Sequence, residues 1–594
     1  MKFPYGIADF QALITEGYFY ADRTLHIAAL EEAGKHLLFL RPRRFGKSLV
    51  LSMLENYYDV AKSDAFQRLF GHLAIGQTPT PRHNQYFVMW WDFSMVESHG
   101  GPDAIARALH DHINACVRSF ISRYRTRLPQ SIALNPDNGL VSFQSAVDAV
   151  AQTPYKLFLV IDEYDNFANE VMASQMRGQD RYAALVHGEG ILKTVFKAIK
   201  GLSAGHGLDR VFITGVSPVV MSDISSGYNV VKDISLRREY QDLCGFYESE
   251  VAGALTEIRT ECELTENDAA EALSMMRTFY NGYRFGYGSG NNHQPLLYNP
   301  TLALYFLDEY RRDCAYPQKI LDSNLAMDRN RIEYIARLPH GNELISKSLD
   351  PADPPRIGQL ADRFGVEDML KATKDQPFLA SLMYYLGILT ITDRDAMGRL
   401  ILGIPNLVIR SLYVERIRDA TLPEYEDRED SRHAAEHFYT CGDIEPLCDF
   451  IESRYWKVFD NRDYRWANEL TVKTAFLVVL FSDTFYIMDS ETAIDKGYAD
   501  LSMIVRPDMR QFALLDHLIE FKYLSLSDVK LTAEDLRALD RAAIRALPQV
   551  REKLDSALAQ LSRYRVALAA AYGEKLRLHT HAVVGIGFER VVWE

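Results

Sequence analysis

Residues Arg41-Pro42-Arg43-Arg44-Phe45-Gly46-Lys47-Ser48 stand between the apolar run Leu37-Leu38-Phe39-Leu40 and the helix-like stretch Leu49-Val50-Leu51-Ser52-Met53-Leu54. A strand, a basic glycine-containing loop and a helix, in that order, form the cradle that holds the phosphates of a nucleoside triphosphate. Main-chain N–H groups face phosphate oxygens there, a lysine reaches the terminal phosphates, and a hydroxyl meets Mg²⁺. Lys47 and Ser48 fill the last two roles, and Arg43, Arg44, Phe45, Gly46 and Leu49 complete the binding segment. Arg41 stands where such loops usually carry glycine, so the opening turn is made by a residue with a Cβ. Read alone, the segment also fits a basic surface turn before a helix.

A second stretch supports the phosphate-loop reading. Tyr155-Lys156-Leu157-Phe158-Leu159-Val160-Ile161-Asp162-Glu163 is a continuous apolar run ending in two carboxylates, the pattern of a strand buried on both faces with acids at its C-terminal end. Open parallel sheets bind ligands at that edge. Asp162 is expected at the Mg²⁺ and Glu163 at the attacking water, while a core strand running into an acidic turn is the plainer alternative. A third run, Val211-Phe212-Ile213-Thr214-Gly215-Val216-Ser217-Pro218, ends in small hydroxyl residues. Thr214 suits a polar sensor beside the γ-phosphate, and a hydroxyl capping the next turn fits equally well.

At 594 residues the chain exceeds one core, and domain sizes suggest roughly three or four units. Its 47% hydrophobic and 25% charged residues are those of an ordinary globular protein. No apolar stretch is long enough to span a membrane, and Met1-Lys2-Phe3-Pro4-Tyr5-Gly6 lacks a signal-peptide core, so a cytoplasmic address is expected. The six cysteines, Cys116, Cys244, Cys262, Cys314, Cys441 and Cys448, form no CxxC pair. Neither a disulfide framework nor a zinc knuckle is indicated, and buried free thiols are expected. A net charge of −14 argues against a uniformly basic coat but leaves room for a local groove, with Arg537, Arg541, Arg545, Arg551, Lys553, Arg563 and Arg565 as candidates.

Strand-like runs near 37–40, 86–93, 157–161 and 211–216 alternate with helical stretches, the rhythm of a parallel α/β sheet with helices on both faces. This phosphate-loop unit is expected over 1–245. From Glu248 the pattern turns helical, predicting a lid or linker over 246–434. Leu349–Arg356 reads as a rigid polar connector and Leu422–Asp430 as an acidic one, so the last unit is expected over 435–594.

That last unit carries the second chemical constellation. In Leu518-Ile519-Glu520-Phe521-Lys522-Tyr523 an acid and a lysine one residue apart project from one face of a strand. Asp500 heads another apolar run, Leu501-Ser502-Met503-Ile504-Val505. Asp500 and Glu520 could share a hard cation with the carbonyl of Phe521, and Lys522 could hold or deprotonate the attacking water. Glu469 could complete the cluster, and Gln560 and Tyr564, one helical turn apart, could contact substrate or organise the lysine. Taken singly, an acid-x-lysine pair on a strand is most often an exposed salt bridge.

The N-terminal half resembles the bacterial AAA-ATPase-like family. The resemblance rests on Gly17-Tyr18-Phe19-Tyr20-Ala21-Asp22-Arg23-Thr24, the Arg41–Ser48 loop, Ile161-Asp162-Glu163-Tyr164-Asp165, Thr214–Pro218, Asn281-Gly282-Tyr283-Arg284-Phe285 and Tyr298-Asn299-Pro300. It makes Arg41 a family trait. The C-terminal unit is similar to the PD-(D/E)XK nuclease-like domain that commonly follows this module, with Ala499 where a proline often precedes the aspartate. The resemblance implies a restriction-endonuclease-like α/β fold, ATP and Mg²⁺ as cofactors, and nucleic acid as partner, DNA ahead of RNA. It leaves room for a homo-oligomer, with Arg237 and Arg238 as candidates for an arginine donated between subunits. The expected function is a bacterial ATPase fused to a Mg²⁺-dependent nuclease, in anti-phage defence or mobile-element processing. The alternative is a nucleotide-switched scaffold whose nuclease fold no longer cuts.

Overall fold

The computed structural model describes residues 1–97, 101–166, 190–218, 221, 227–286, 295–320, 332–336, 338–350, 353–361, 364, 375–458, 469–489, 492–494 and 497–594. The apolar runs of the N-terminal half become strands β1 His36–Leu40, β2 Tyr86–Asp92, β3 Lys156–Asp162 and β4 Leu208–Gly215, joined by a two-residue β5, Lys232–Asp233, too short to leave an apolar run. All neighbours are parallel, in the order β2-β3-β4-β1-β5. Every position of β1 is buried, which requires cover on both faces. Because β4 lies between β1 and β3, the ends of all three strands meet at one edge. The Lys47–Tyr58 helix starts there.

The middle region is mainly helical. Helices Glu248–Glu261, Glu266–Tyr280 and Pro300–Asp313 pack around a core of their own that includes Leu255, Met276, Phe279 and Phe306. The region also holds a small antiparallel sheet of β6 Arg356–Ile357, β7 Thr390–Arg394 and β8 Leu400–Gly403. Arg356, expected in a connector, opens β6.

Two expectations are corrected here. Cys262 and Cys314, expected as free thiols, are joined as a disulfide. Their helices end side by side, where Glu261 also pairs with Arg311 at 2.7 Å, a proximity that a sequence separation of 52 conceals. Cys244 and Cys448 are buried free thiols, Cys116 is half-buried and Cys441 is exposed. The acidic connector is instead the start of a 17-residue helix, Tyr425–Cys441. Glu426 and Asp427 lie in its first turn, where negative charge suits the helix dipole, and Ala434, Ala435 and Phe438 form a buried face.

The C-terminal sheet runs β15-β14-β13-β12-β9, from β9 Tyr486–Asp489, β12 Leu501–Val505, β13 Asp516–Leu524, β14 Leu578–Ile586 and β15 Arg590–Trp593. Strands β13 and β14 are parallel and the other pairs antiparallel. A short hairpin, β10 Thr492–Ile494 with β11 Gly497–Ala499, leads into β12. The Glu469–Leu480 helix packs on β13, with Phe476 against Phe521 at a centroid distance of 5.0 Å. The Pro548–Tyr572 helix covers the alternate residues, including Leu518 and Ala582. One continuous apolar core runs from Phe10 through β1–β4 and Tyr413 to Phe438, Phe476 and Phe521.

Candidate active sites

The phosphate loop is braced from within. Arg41 is 1% exposed, and its guanidinium donates to the carbonyls of Leu40, Ser235, Tyr240 and Gln241 at 2.8–3.3 Å. It lies between the rings of Phe39 and Phe285, 4.3 Å from each centroid. Its side chain therefore ties the end of β1 to two later segments, a role that glycine could not fill. Phe45 packs edge-on against Tyr283 and Phe285 at 4.9 and 5.1 Å. Arg44 and Gly46 take left-handed φ values of 67° and 92°, turning the chain into the Lys47 helix. These contacts exclude the exposed surface turn.

Lys47 is 6% exposed, and burial lowers its pKa. Its ammonium donates to the carbonyls of Arg41 and Pro42 at 3.1 Å each. The Ser48 hydroxyl donates to Asp162 Oδ2 at 2.6 Å. Thr214 donates to Asp162 Oδ1, so the hydroxyl of β4 does more than cap a turn. Glu163 sits at φ 49°, an uncommon conformation for a residue with a Cβ, which turns it away from the strand into the cavity beside Lys47. Burial raises its pKa, against the pull of Lys47 and Arg43.

That cavity, about 350 Å³, is lined by the loop and Glu163 and by the apolar side chains of Ile7, Phe19, Phe246 and Leu304 with the Tyr20 ring. Polar and apolar lining together suit a nucleotide's phosphates and base. The oxygens of Ser48 and Asp162 are the hard donors that Mg²⁺ takes. Arg237 and Arg238 are exposed and lie outside the cavity lining. Sequence reasoning left Asp165 without a role. It accepts from the N–H groups of Val216 and Ser217 at 3.1 and 2.8 Å and from the Ser217 hydroxyl at 3.0 Å, fixing the turn that follows Thr214. Its place in the acidic run Asp162-Glu163-Tyr164-Asp165, just after an apolar strand, was the available signal.

The second site forms where β12 meets β13. Leu501 faces Ile519, which brings Asp500 up to Glu520 and Phe521, and Asp500 Oδ2 accepts the Phe521 N–H at 2.8 Å. Lys522 donates to Glu520 Oε1 at 2.8 Å and to the Phe521 carbonyl at 2.9 Å. Glu520 is 2% exposed, so this is no surface salt bridge. Burial and the charge of Asp500 push the Glu520 carboxyl up to about 7. Burial alone would lower the pKa of Lys522, but its bond to Glu520 and the charges of Glu520, Glu469 and Asp500 together outweigh this and hold it above the ordinary lysine range. It is an ammonium, suited to hold water or phosphate and not to take a proton from it.

Glu520 Oε2 and Gln560 Oε1 are both buried and accept no hydrogen bond. A bare buried carboxylate oxygen is costly unless a cation or proton meets it, so the residues fit a hard divalent ion. Among the described residues no three acidic, histidine or cysteine side chains converge into a cage. The oxygens gathered at this strand edge are those of Asp500, Glu520 and the Phe521 carbonyl. Glu469 is exposed at the start of its helix, within electrostatic reach of Lys522 and Asp500 but outside that set. Tyr564 is 5% exposed, and burial followed by the charge of Glu520 raises its pKa, which places it over the site from the Pro548–Tyr572 helix. Lys473, one turn after Glu469, was missed. A single charge within Val472–Leu480, otherwise apolar but for Thr474, was the signal.

Of the candidate basic surface, Arg537 pairs with Glu589, Arg551 with Glu594, and Arg541 with Asp449 while lying 4.5 Å from the Trp593 ring centroid. These three serve the fold. Lys553 acts on Glu469.

The family model described as predicted AAA-ATPase matches residues 4–225, and that of the PD-(D/E)XK nuclease superfamily matches 467–593. The chain carries one stretch that matches each of these two family models. Every residue of the phosphate-loop cluster lies within the ATPase match, and every residue of the Asp500–Glu520 cluster within the nuclease-superfamily match. An uncharacterized protein in the vnfD 5′ region of Azotobacter chroococcum mcd 1 is 28% identical over 325 residues, covering 52% of this chain and 53% of that protein. The chain thus spans about half the length of that curated relative. A Walker-type ATPase of Pyrococcus abyssi aligns at TM-score 0.38 and 14% identity, over 66% of this chain and 95% of that one. The Aeropyrum pernix ORC1 protein, solved in complex with DNA, aligns at 0.26 and 14%, over 69% and 98%. No described helix is long and apolar enough to cross a membrane.

Proposed function

We propose that this chain hydrolyses ATP and, at a separate site, cleaves phosphodiester bonds of nucleic acid with Mg²⁺. Arg43, Arg44, Phe45, Gly46, Lys47, Ser48 and Leu49 hold the phosphates, Asp162 positions Ser48 and Thr214, and Glu163 orients the attacking water. At the second site Asp500, Glu520 and the Phe521 carbonyl hold the cation, and Lys522 steadies the nucleophile. Glu469, Gln560 and Tyr564 contact the substrate around them. Mg²⁺ would supply charge neutralisation at both sites and an acidified water at the second. DNA is proposed ahead of RNA, in phage defence or mobile-element processing in the bacterial cytoplasm.

The observation that carries the cleaving reading over the silent scaffold is the bare buried oxygen of Glu520 beside Asp500 and Lys522. A fold kept only as a scaffold has no use for that cost. The test is Mg²⁺- or Mn²⁺-dependent cleavage of single- and double-stranded DNA and RNA, with and without ATP, by the wild type and Asp500→Ala. Cleavage lost in the variant supports the proposal. Nucleotide binding with no cleavage of any substrate returns the scaffold reading.

A further inference from the structure

Lys473 lies in the Glu469–Leu480 helix, one turn from Glu469 and on the same face. It is 5% exposed, among Val472, Ala475 and Phe476, which are fully buried. An ammonium at that depth has lost its hydration and recovers the cost only against an anion. Its Nζ stands 3.7 Å from Asp500 Oδ1, the oxygen that the Phe521 N–H does not take. Lys522 meanwhile holds Glu520 Oε1 and leaves Oε2 bare. Each carboxylate proposed to bind the cation therefore has its own ammonium on one oxygen or beside it.

The charges limit what else can enter. Among the described residues, Glu469, Asp500 and Glu520 bring three carboxylates, and Lys473, Lys522 and Lys553 three ammonium groups. With the carboxylates ionised, one divalent ion changes the balance of these six groups from 0 to +2, and a second would take it to +4 before any phosphate arrived. Two-metal phosphodiesterase sites hold their ions about 3.5–4 Å apart, close enough to share a ligand. In this chain the oxygen of Asp500 available for sharing faces an ammonium.

We propose that Lys473 is a positioning residue that holds Asp500 in place and takes the position of a second divalent cation, confining the site to one metal ion. This rests on the reading of Asp500 and Glu520 as cation ligands. A purely structural ion pair would anchor the helix to β12 and have no effect on metal stoichiometry.

The test is a count of Mn²⁺ bound to the full-length, nucleotide-free chain by calorimetry, with electron paramagnetic resonance to detect spin coupling between neighbouring ions. Wild type should bind one Asp500-dependent ion. Lys473→Met, neutral and of similar length, should bind two with a coupled spectrum. Lys473→Arg should stay at one. Two coupled ions in the wild type would overturn the inference whether or not the variants fold. One ion in a folded Lys473→Met that Asp500→Asn loses would overturn it and leave the cation site standing. Mn²⁺ binding unchanged in Asp500→Asn would overturn the cation site and the inference together.

Discussion

The Thr301 hydroxyl donates to the carbonyl of Arg44 at 2.9 Å, so the first turn of a middle-region helix grips the phosphate loop at its left-handed residue. The same helix supplies Leu304 to the nucleotide cavity. The helical region thus contacts the loop and lines the pocket. Thr301→Val keeps the shape and removes the bond. It should weaken ATP binding by about fivefold, the worth of one hydrogen bond, and should alter any ATP dependence of cleavage. Fluorescent-nucleotide titration checks the first effect. Unchanged cleavage with and without ATP in both proteins would make the two sites independent.

Within the phosphate site, Lys47→Ala should remove most ATP affinity, because it deletes the charge at the terminal phosphates. Glu163→Gln should bind ATP as well as wild type while turnover falls by about a hundredfold or more, since an amide cannot accept the water's proton. Equilibrium binding and phosphate release separate the two.

At the second site, Asp500→Ala should lose metal binding and cleavage together, a methyl being no ligand. Lys522→Ala should still bind Mn²⁺ but turn over more slowly, with kcat falling more than KM rises. Comparing KM and kcat on one oligonucleotide distinguishes loss of the ligand from loss of the ammonium.

Arg41→Ala should destabilise the protein by on the order of 3 kcal/mol or more. It strands four carbonyls and empties the space between two rings. Arg41→Lys should recover only part of this, having no planar fork. Urea denaturation measures both.

Beneath the C-terminal sheet, His517 Nδ1 lies 3.4 Å from His581 Nε2, with Phe438 stacked on His517. Burial, reinforced by His581 and His579, lowers His517 to about 2, and burial, reinforced by His579 against the pull of Asp443, lowers His581 to about 4. Depressed values mean that the unfolded chain binds more protons below about 6.5, so stability is full above that pH and is lost as pH falls toward 4. Melting temperature should drop by several degrees between pH 7 and pH 5, and His581→Gln should flatten the slope.

The strands and both acid-bearing edges were legible because a buried parallel strand leaves an uninterrupted apolar run and because phosphate chemistry fixes the spacing of Gly46, Lys47 and Ser48. What escaped was set by tertiary contact. Arg41 reads as a missing glycine until the carbonyls of Ser235 and Tyr240 close around it. The Cys262–Cys314 bond depends on where two helices end. The acids of 424–430 look like a linker because their apolar face begins only at Ser431. Glu469 was singled out from its order in the chain, and it stands at a helix start within electrostatic reach of Asp500 and Lys522.

The helix Tyr425–Cys441 has a consequence for inheritance. The nuclease-superfamily match begins at 467, yet Phe438 stacks on His517 at 4.0 Å and Tyr439 donates to the Leu480 carbonyl at 2.8 Å. A gene fusion that joined a new partner at the boundary of the match would transmit a sheet without the Phe438 and Tyr439 that pack against it. Recombination that conserves a folded tail must exchange a segment at least forty codons longer, so the unit that can move between genomes is larger than the unit that sequence comparison recognises.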